Sequence, residues 1–287
     1  MAPSTRQQFR ALLKPGAALI LPGVANALAA RVVADCGFTA AYVTGAGIAN
    51  TYLGIPDNGL VTLTELVDHV TAIRAVFPGP LMVDADTGFG NALNMQRTIK
   101  ALERAGADAI QIEDQVFPKR CGHFEGKEVV PSAEMVGKIK AAVDARTDAD
   151  LLIVARTDAI AVEGFNAAID RAHAFKEAGA DIGFVEAPTS AEQIAAIGKL
   201  PWPQLMNIVI GGKTPEKSNE ELKTLGFAGV LYANTALQAA VLGMQRALGH
   251  LKKNGQIGSA TDLLASFAER QRLVDIASFQ EMERKYK

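Results

Sequence analysis

The sequence predicts an α/β barrel, in which eight parallel strands are each followed by a helix. Short apolar runs of strand length alternate with amphipathic helical segments along the chain. Several helical segments end in a glycine just before the next apolar run, as at Gly106 and Gly179, and glycine adopts the left-handed conformation that ends helices. The strand–helix units number eight, which favours a closed (β/α)8 barrel over an open doubly wound sheet.

The predicted strands are nearly continuous in apolar residues, as expected for strands buried on both faces. In order they cover residues 18–24, 40–44, 81–86, 109–114, 151–158, 182–186, 204–209 and 230–233. Amphipathic helices are predicted over 91–105, 133–145, 165–178 and 190–200. Residues 235–254 and 261–287 are predicted to form two long helices, the second an appendage to the barrel. Residues 1–287 therefore form one predicted barrel domain, with a helical extension over about 256–287.

The composition argues against several functional classes. Basic and acidic residues number 29 and 31 and are interspersed, so no nucleic-acid-binding surface is predicted. No apolar run reaches the length of a membrane span, and the first ten residues lack the apolar segment of a signal peptide. Cys36 lies in an apolar helical pattern and is predicted to be a core residue. With Cys121 as the only other cysteine, no disulfide framework is expected, which fits a cytoplasmic location.

Polar residues stand at the C-terminal ends of the predicted strands, where barrel enzymes place their reactive groups. Charged side chains rarely fill a barrel interior, so their recurrence at one end indicates a functional site. Any one of them is also compatible with a helix cap or a local ion pair, and Asp158 and Asn234 suit a helix cap best. In strand order the residues are Tyr42, Thr44, Asp84, Asp86, Glu113, Asp114, Arg156, Asp158, Glu186, Asn207 and Asn234.

Three of these residues, Asp84, Asp86 and Glu113, are predicted to hold a divalent metal ion. Carboxylate oxygens on neighbouring strands suit Mg²⁺, with Mn²⁺ possible, bound partly through water. Zinc is less favoured, because His123 is the only histidine placed near the site. Arg156 lies at the same end and has the forked N–H groups that bind a carboxylate.

The segment Lys119-Arg-Cys-Gly-His123 places a thiol between cations and an imidazole. Nearby cations lower the pKa of a thiol, so Cys121 is a candidate proton donor or acceptor near neutral pH. Gly122 and Gly126 give the segment conformational freedom, which predicts a mobile lid. The alternative is an exposed basic loop with an incidental cysteine.

The order of five motifs resembles the isocitrate lyase and phosphoenolpyruvate mutase superfamily. The resemblance covers nearly the whole chain, from about Gly23 to the C-terminal helices. It implies a (β/α)8 barrel, a magnesium ion and a flexible lid carrying the cysteine. It also implies a C-terminal helix exchanged between paired barrels within a homotetramer. The motifs are Asp84-Ala-Asp-Thr-Gly-Phe-Gly-Asn91, Ile112-Glu-Asp-Gln115, Lys119-Arg-Cys-Gly-His123, Ile153-Val-Ala-Arg-Thr-Asp-Ala159 and Phe184-Val-Glu-Ala187.

The lid motif resembles that of the carbon–carbon lyases of this superfamily. The expected reaction cleaves a 2-hydroxy di- or tricarboxylate into a 2-oxo acid and a carboxylic acid. Three branches stay open: 2,3-dimethylmalate lyase, 2-methylisocitrate lyase and oxaloacetate hydrolase, which gives oxalate and acetate. The run Gly211-Gly-Lys-Thr-Pro215 is similar to the first and third branches. Ile210 stands where many relatives carry Glu and argues against a site for an extra polar group. A catalytically silent carboxylate-binding barrel is the alternative from another class.

The resemblance also implies a division of roles among the site residues. Tyr42 or a metal-linked group would take the proton of the substrate's 2-hydroxyl group, and the bond between carbons two and three would then break. Lys119 and His123 would stabilise the negative charge on the departing fragment, and Cys121 would protonate its carbon. Arg156 would hold the retained 2-oxo acid. The remaining predicted substrate contacts are Thr44, Gly45, Ala46, Arg120, Gly122, Glu186 and Asn207.

Overall fold

Eight parallel strands close into a barrel in the computed structural model, which describes residues 2–120 and 126–287. Each strand pairs with its neighbours in sequence, and β1 pairs with β8 from Leu19 opposite Gly229 to Pro22 opposite Tyr232. The predicted barrel is confirmed. The strands are β1 Leu19–Val24, β2 Ala41–Val43, β3 Leu81–Asp84, β4 Ala109–Glu113, β5 Leu152–Thr157, β6 Ile182–Val185, β7 Gln204–Asn207 and β8 Gly229–Tyr232.

Helices surround the barrel and extend beyond its last strand. A π-helical turn, Ala49–Leu53, follows α3, and a short 3-10 helix, Thr261–Leu263, follows α11. The α-helices are α1 Thr5–Leu12, α2 Ala27–Asp35, α3 Gly45–Ile48, α4 Leu63–Arg74, α5 Ala92–Ala105, α6 Ser132–Ala145, α7 Ile160–Glu163, α8 Phe165–Glu177, α9 Ala191–Gly198, α10 Asn219–Leu225, α11 Thr235–Asn254, α12 Phe267–Leu273 and α13 Ile276–Tyr286.

The N-terminal end of the barrel is closed by α1. The Ser4 hydroxyl accepts a hydrogen bond from the Gln7 N–H, and the Gln7 side-chain oxygen accepts one from the Ser4 N–H, so the helix start is fixed. Phe9 and Leu13 are buried in the same apolar cluster as Met82 of the barrel interior. Burying a side chain of this size stabilises a fold by about 1.5–3 kcal/mol. With this end closed and apolar, the polar strand ends at the opposite mouth form the accessible face.

Two sequence predictions about the surface are wrong. Cys36 is exposed, because α2 ends at Asp35 and the cysteine follows it in the turn. The long helix expected over 261–287 is broken into shorter pieces. Leu264 is extended, and Asp275 lies in the left-handed region at φ +62°, which a continuous helix does not allow.

The first long C-terminal helix is confirmed as α11. Its apolar side chains include Leu248, 62% exposed, and Met244, 55% exposed, and no residue of this helix is buried. The apolar face of α11 is therefore an uncovered surface of the single chain.

Within residues 2–120 and 126–287, no helix combines the length and apolarity needed to cross a membrane.

Candidate active site

A cavity of about 170 Å³ opens at the carboxyl ends of the strands, inside the barrel mouth. It brings together most of the residues that the sequence singled out, from β2 around to β8. It also includes Asp57, which no strand-end argument identified. The lining residues are Tyr42, Thr44, Ala46, Asp57, Asp84, Lys119, Arg156, Phe184, Glu186, Asn207, Val209, Leu231, Ala233 and Asn234.

The acidic part of the site lies at the ends of β3 and β4. Asp84, Asp86 and Glu113 are all buried. Asp86 has φ +47°, a left-handed conformation that costs about 1–3 kcal/mol and is often found at functional sites. A side chain at Gly45 would lie 3.2 Å from Asp86 Oδ1 and 3.3 Å from Asp84 Oδ2. A larger residue there would push both carboxylates away by a few tenths of an ångström, so glycine allows the start of α3 to lie close to them.

Lys119 lies among these carboxylates. Its Nζ contacts Asp57 and lies 2.9 Å from Asp86 Oδ1, although that oxygen accepts no well-directed hydrogen bond from any described residue. Burial raises the pKa of Asp86 to about 7, against the lowering effect of Lys119. Burial would lower the pKa of Lys119, but Asp86, Glu113 and Asp57 raise it well above the usual value. The ammonium therefore stays charged, while Asp86 is poised to exchange a proton near neutral pH.

The donor chemistry of this cluster fits a hard divalent cation. In the part of the chain that the structure describes, no group of three or more His, Cys, Asp or Glu side chains is arranged so that it could hold a metal ion by itself. Glu113 Oε1 is nevertheless buried without a hydrogen-bond partner in the described residues. Burial also raises the pKa of Glu113 well above its usual value. Oxygens placed in this way suit Mg²⁺, which keeps several waters and uses few protein ligands.

Tyr42 is connected to Asp84 through a buried glutamine. The Tyr42 hydroxyl donates to Gln111 Oε1 at 3.2 Å, and Gln111 Nε2 donates to Asp84 Oδ1 at 3.2 Å. Burial and the charge of Asp84 raise the pKa of Tyr42 well above its usual value of 10. A phenolate is therefore disfavoured, which argues against Tyr42 as the base at neutral pH.

Arg156 extends from the end of β5 into the cavity. Its Nε and Nη2 donate to the two carboxylate oxygens of Asp158 at 2.9 and 3.0 Å. Its Nε also lies 3.4 Å from Glu113 Oε2. The suggestion that Asp158 caps a helix is wrong, because its carboxylate is committed to Arg156 and to Lys127. Asn234 precedes α11, but its side chain makes no capping hydrogen bond.

The far wall combines polar and apolar groups. Asn207 Nδ2 donates to Glu186 Oε1 at 3.3 Å, so these two predicted contacts lie side by side. Phe184 and Leu231 are buried and line the cavity together with Val209. Ile210 is 59% exposed and does not line it. Among the described lining residues the apolar contact comes from Val209, and the role expected of Ile210 stays a prediction.

Three predicted residues, Cys121, Gly122 and His123, lie outside the described residues. On one flank, the Arg120 N–H donates to Gln115 Oε1 at 2.9 Å, and Gln115 Nε2 donates to the Arg120 carbonyl at 2.8 Å. On the other flank, Lys127 Nζ donates to Asp158 at 2.9 Å. Both flanks are therefore held by hydrogen bonds to buried residues, Gln115 and Asp158.

Comparison with known proteins identifies the family. The phosphoenolpyruvate phosphomutase family matches residues 9–252. The chain is 42% identical to 2,3-dimethylmalate lyase of Eubacterium barkeri over 99% of this chain and 98% of that protein. It is also 42% identical to 2-methylisocitrate lyase of Aeropyrum pernix, over 96% of this chain and 88% of that protein.

Solved structures support the same assignment. A 2,3-dimethylmalate lyase superposes with a TM-score of 0.93 at 35% identity, covering 100% of this chain and 96% of that one. Oxaloacetate acetylhydrolase with 3,3-difluorooxalacetate gives 0.93 at 32% identity, covering 99% and 97%. Phosphonopyruvate hydrolase with oxalate and Mg²⁺ gives 0.89 at 29% identity, covering 99% of both chains.

These findings confirm the superfamily that the motifs suggested and the expected carbon–carbon lyase class, since the two curated relatives are both lyases. By sequence and by structure, the chain belongs to the phosphoenolpyruvate phosphomutase family.

Proposed function

We propose that the protein is a metal-dependent lyase that cleaves an alkyl-substituted 2-hydroxy dicarboxylate of the 2,3-dimethylmalate type. The observation that carries this proposal is the composition of the cavity. Charged side chains, Asp84, Lys119 and Arg156, line it together with the apolar side chains of Phe184, Val209 and Leu231. The products would be a 2-oxo acid, pyruvate, and a carboxylic acid, propionate.

The acidic cluster is suited to activating the substrate's hydroxyl group. A divalent cation held by Asp84, Asp86 and Glu113, partly through water, would lower the pKa of that hydroxyl. Without the cation, burial raises the pKa of Asp86 to about 7, so the cation would displace a proton from this carboxyl when it binds. Tyr42 orients Asp84 through Gln111 and stays protonated.

Cationic groups act on the two carboxylates of the substrate. Arg156 binds the carboxylate of the fragment that becomes the 2-oxo acid, with backbone amides of Gly45 and Ala46 as further contacts. When the bond between carbons two and three breaks, negative charge develops on the other fragment, and Lys119 stabilises it. Cys121, with His123 beside it, supplies the proton to that fragment's carbon, a role that rests on the sequence.

The balance of charge and apolar surface favours a dicarboxylate over a tricarboxylate. In the described part of the chain, Lys119 and Arg156 are the only cationic side chains that line the cavity. Each of the two carboxylates can be met by one of these cations. A third carboxylate would find no further cationic side chain among the described lining residues, and burying an unpaired charge is costly. Methyl groups of the substrate would instead bury apolar area against Val209 and Leu231.

Oxaloacetate hydrolysis is the second candidate, because an oxaloacetate acetylhydrolase shares the fold at a TM-score of 0.93. Product analysis separates the candidates. Purified protein with Mg²⁺ is incubated in turn with 2,3-dimethylmalate, 2-methylisocitrate and oxaloacetate, with a chelator-treated sample of each. Pyruvate and propionate from dimethylmalate support the proposal. Oxalate and acetate from oxaloacetate identify the hydrolase, and pyruvate with succinate identifies the methylisocitrate enzyme. Turnover of none of the three would favour the catalytically silent barrel.

We also propose that a second copy of the chain covers the apolar face of α11, within the homotetramer that the family resemblance implies. The α11 side chains Leu242, Met244 and Leu248 are at least 46% exposed. On the barrel, α2 exposes Leu28 and Val32 by 52% and 40%. Exposed apolar surface of this kind typically marks an interaction site. Exchange of C-terminal helices between two barrels would cover both surfaces.

A further inference from the structure

The buried carboxylate of Asp158 binds the guanidinium of Arg156 on the side away from solvent. Two parallel hydrogen bonds, of 2.9 and 3.0 Å, join its carboxylate to Nε and Nη2 of the guanidinium. The Asp158 side chain is 0% exposed, and that of Arg156 is 10% exposed. A bidentate pair of this kind fixes the plane of the guanidinium as well as its position.

Lys127 and Asp114 hold Asp158 in turn. Lys127 Nζ donates to Asp158 Oδ1 at 2.9 Å, and the lysine side chain is 2% exposed. The backbone N–H of Asp158 donates to Asp114 Oδ1 at 2.9 Å. The carboxylate therefore contacts two buried cations, and Arg156 shares it with Lys127.

These contacts determine which N–H groups of the Arg156 guanidinium stay available. Among residues 2–120 and 126–287, no hydrogen bond or ion pair reaches Nη1. The guanidinium carbon lies 5.3 Å from the centre of the Phe184 ring, so one face of the group is covered. Asp158 occupies the N–H of Nε and one N–H of Nη2, so the N–H groups of Nη1 and the second N–H of Nη2 are left for a ligand in the cavity.

We propose that Asp158, braced by Lys127, is the positioning residue that orients Arg156 to bind a substrate carboxylate. The inference rests on the proposed function in one respect, that Arg156 binds a carboxylate. A purely structural role predicts something different: loss of Asp158 would then loosen the loop after β5 whether or not Arg156 is present.

A double-mutant cycle on ligand binding separates these two roles. Oxalate is the probe, because it is a small dianion, and binding is measured by calorimetry in saturating Mg²⁺. The proteins are wild type, Asp158→Asn, Arg156→Met and the double variant. Asp158→Asn should weaken oxalate binding roughly 10- to 100-fold, as is typical for the loss of an orienting partner. In the Arg156→Met background the same change should alter affinity less than about threefold, because its target is gone.

Asp181→Asn is the matched control. Asp181 also accepts from an arginine, Arg146, at 2.8 Å, and its carboxylate accepts from the Ile153 N–H at the opposite end of β5. The oxalate affinity of the Asp181→Asn protein should equal that of the wild type. If Asp158→Asn does not fold, Lys127→Met and Lys127→Arg replace it: the first should weaken oxalate binding and the second should restore it.

Three outcomes would overturn the proposal. One is an oxalate affinity of Asp158→Asn within about twofold of wild type. Another is an equal loss in both backgrounds, which would assign Asp158 a role independent of Arg156. The third is no oxalate binding to wild type. Failure of the proposed function is recognised separately, because it would appear as absent dimethylmalate cleavage by a wild type that still binds oxalate through this pair.

Discussion

Lys119 Nζ lies 2.9 Å from Asp86 Oδ1, so a buried ammonium shares the acidic cluster in which a divalent cation is expected. Burial sets the pKa of Asp86 at about 7 in spite of that contact. The carboxylate must therefore lose a proton before it binds a metal fully, which couples metal binding to pH.

Magnesium should stabilise the protein more at pH 8 than at pH 6. The pKa of Asp86 is raised above 3.8, so the metal-free folded state binds its proton more tightly than the unfolded state. The tighter proton binding by Asp86 contributes fully to the free energy of unfolding below about pH 4. This contribution is lost as the pH rises to about 7. Mg²⁺ competes with the proton, so the rise in melting temperature should grow through pH 7. Asp86→Asn should show no such pH dependence, and an equal rise at both pH values in the wild type would contradict the account.

Replacing Cys121 by Ser should lower turnover by about two to four orders of magnitude, the usual contribution of a positioned acid or base. The serine hydroxyl has nearly the same size but a far higher pKa. The KM should change much less, because the carboxylate contacts remain. Initial rates over a range of substrate concentrations separate the two constants. Near-normal turnover by the variant would show that another group is the acid.

Gly23 should be essential to the closure of the barrel. A Cβ at this position would lie 1.8 Å from the carbonyl oxygen of Ala233, a backbone atom that cannot move aside. Gly23→Ala should therefore destabilise the protein by about 2 kcal/mol or more. Gly137→Ala is the control: this residue lies inside α6 with no atom within 4 Å, so the change should stabilise by about 1 kcal/mol. Urea unfolding measures both, and equal effects would be inconsistent with the strand contact.

Removal of residues 260–287 should leave apolar surface exposed on the barrel and on α11. Because Phe267 and Phe279 are 73% and 55% exposed in the single chain, their cover is expected to come from a partner. The intact protein should sediment as an oligomer, and the truncated protein should aggregate or sediment as an inactive monomer. Sedimentation of the intact chain as a monomer at micromolar concentration would exclude the helix exchange.

The barrel was predictable because strand–helix alternation and helix-ending glycines are local signals. The C-terminal break was not, because Asp275 in the left-handed conformation leaves no trace in the apolar spacing. Cys36 was misplaced for a related reason. An apolar pattern locates a helix, but the exact position of the helix end decides whether the next residue is buried or exposed.

The strand-end residues of the site were predictable because parallel strands bring their carboxyl ends together. Asp57 was missed, since it lies in the loop between the π-helical turn and α4, and only the folded chain brings it to Lys119. Asp158 was assigned to a cap, because its sequence position precedes a helix. Its pairing with Lys127 joins positions 31 apart in the chain, and spacing alone does not reveal such contacts.

The central claim is carbon–carbon cleavage followed by protonation of the departing carbon. The most direct measurement is proton NMR of the products formed from 2,3-dimethylmalate with Mg²⁺ in D₂O. The account predicts equimolar pyruvate and propionate, with one deuterium on the propionate carbon next to the carboxylate. Failure to form this pair, or propionate without deuterium at that carbon, would contradict it.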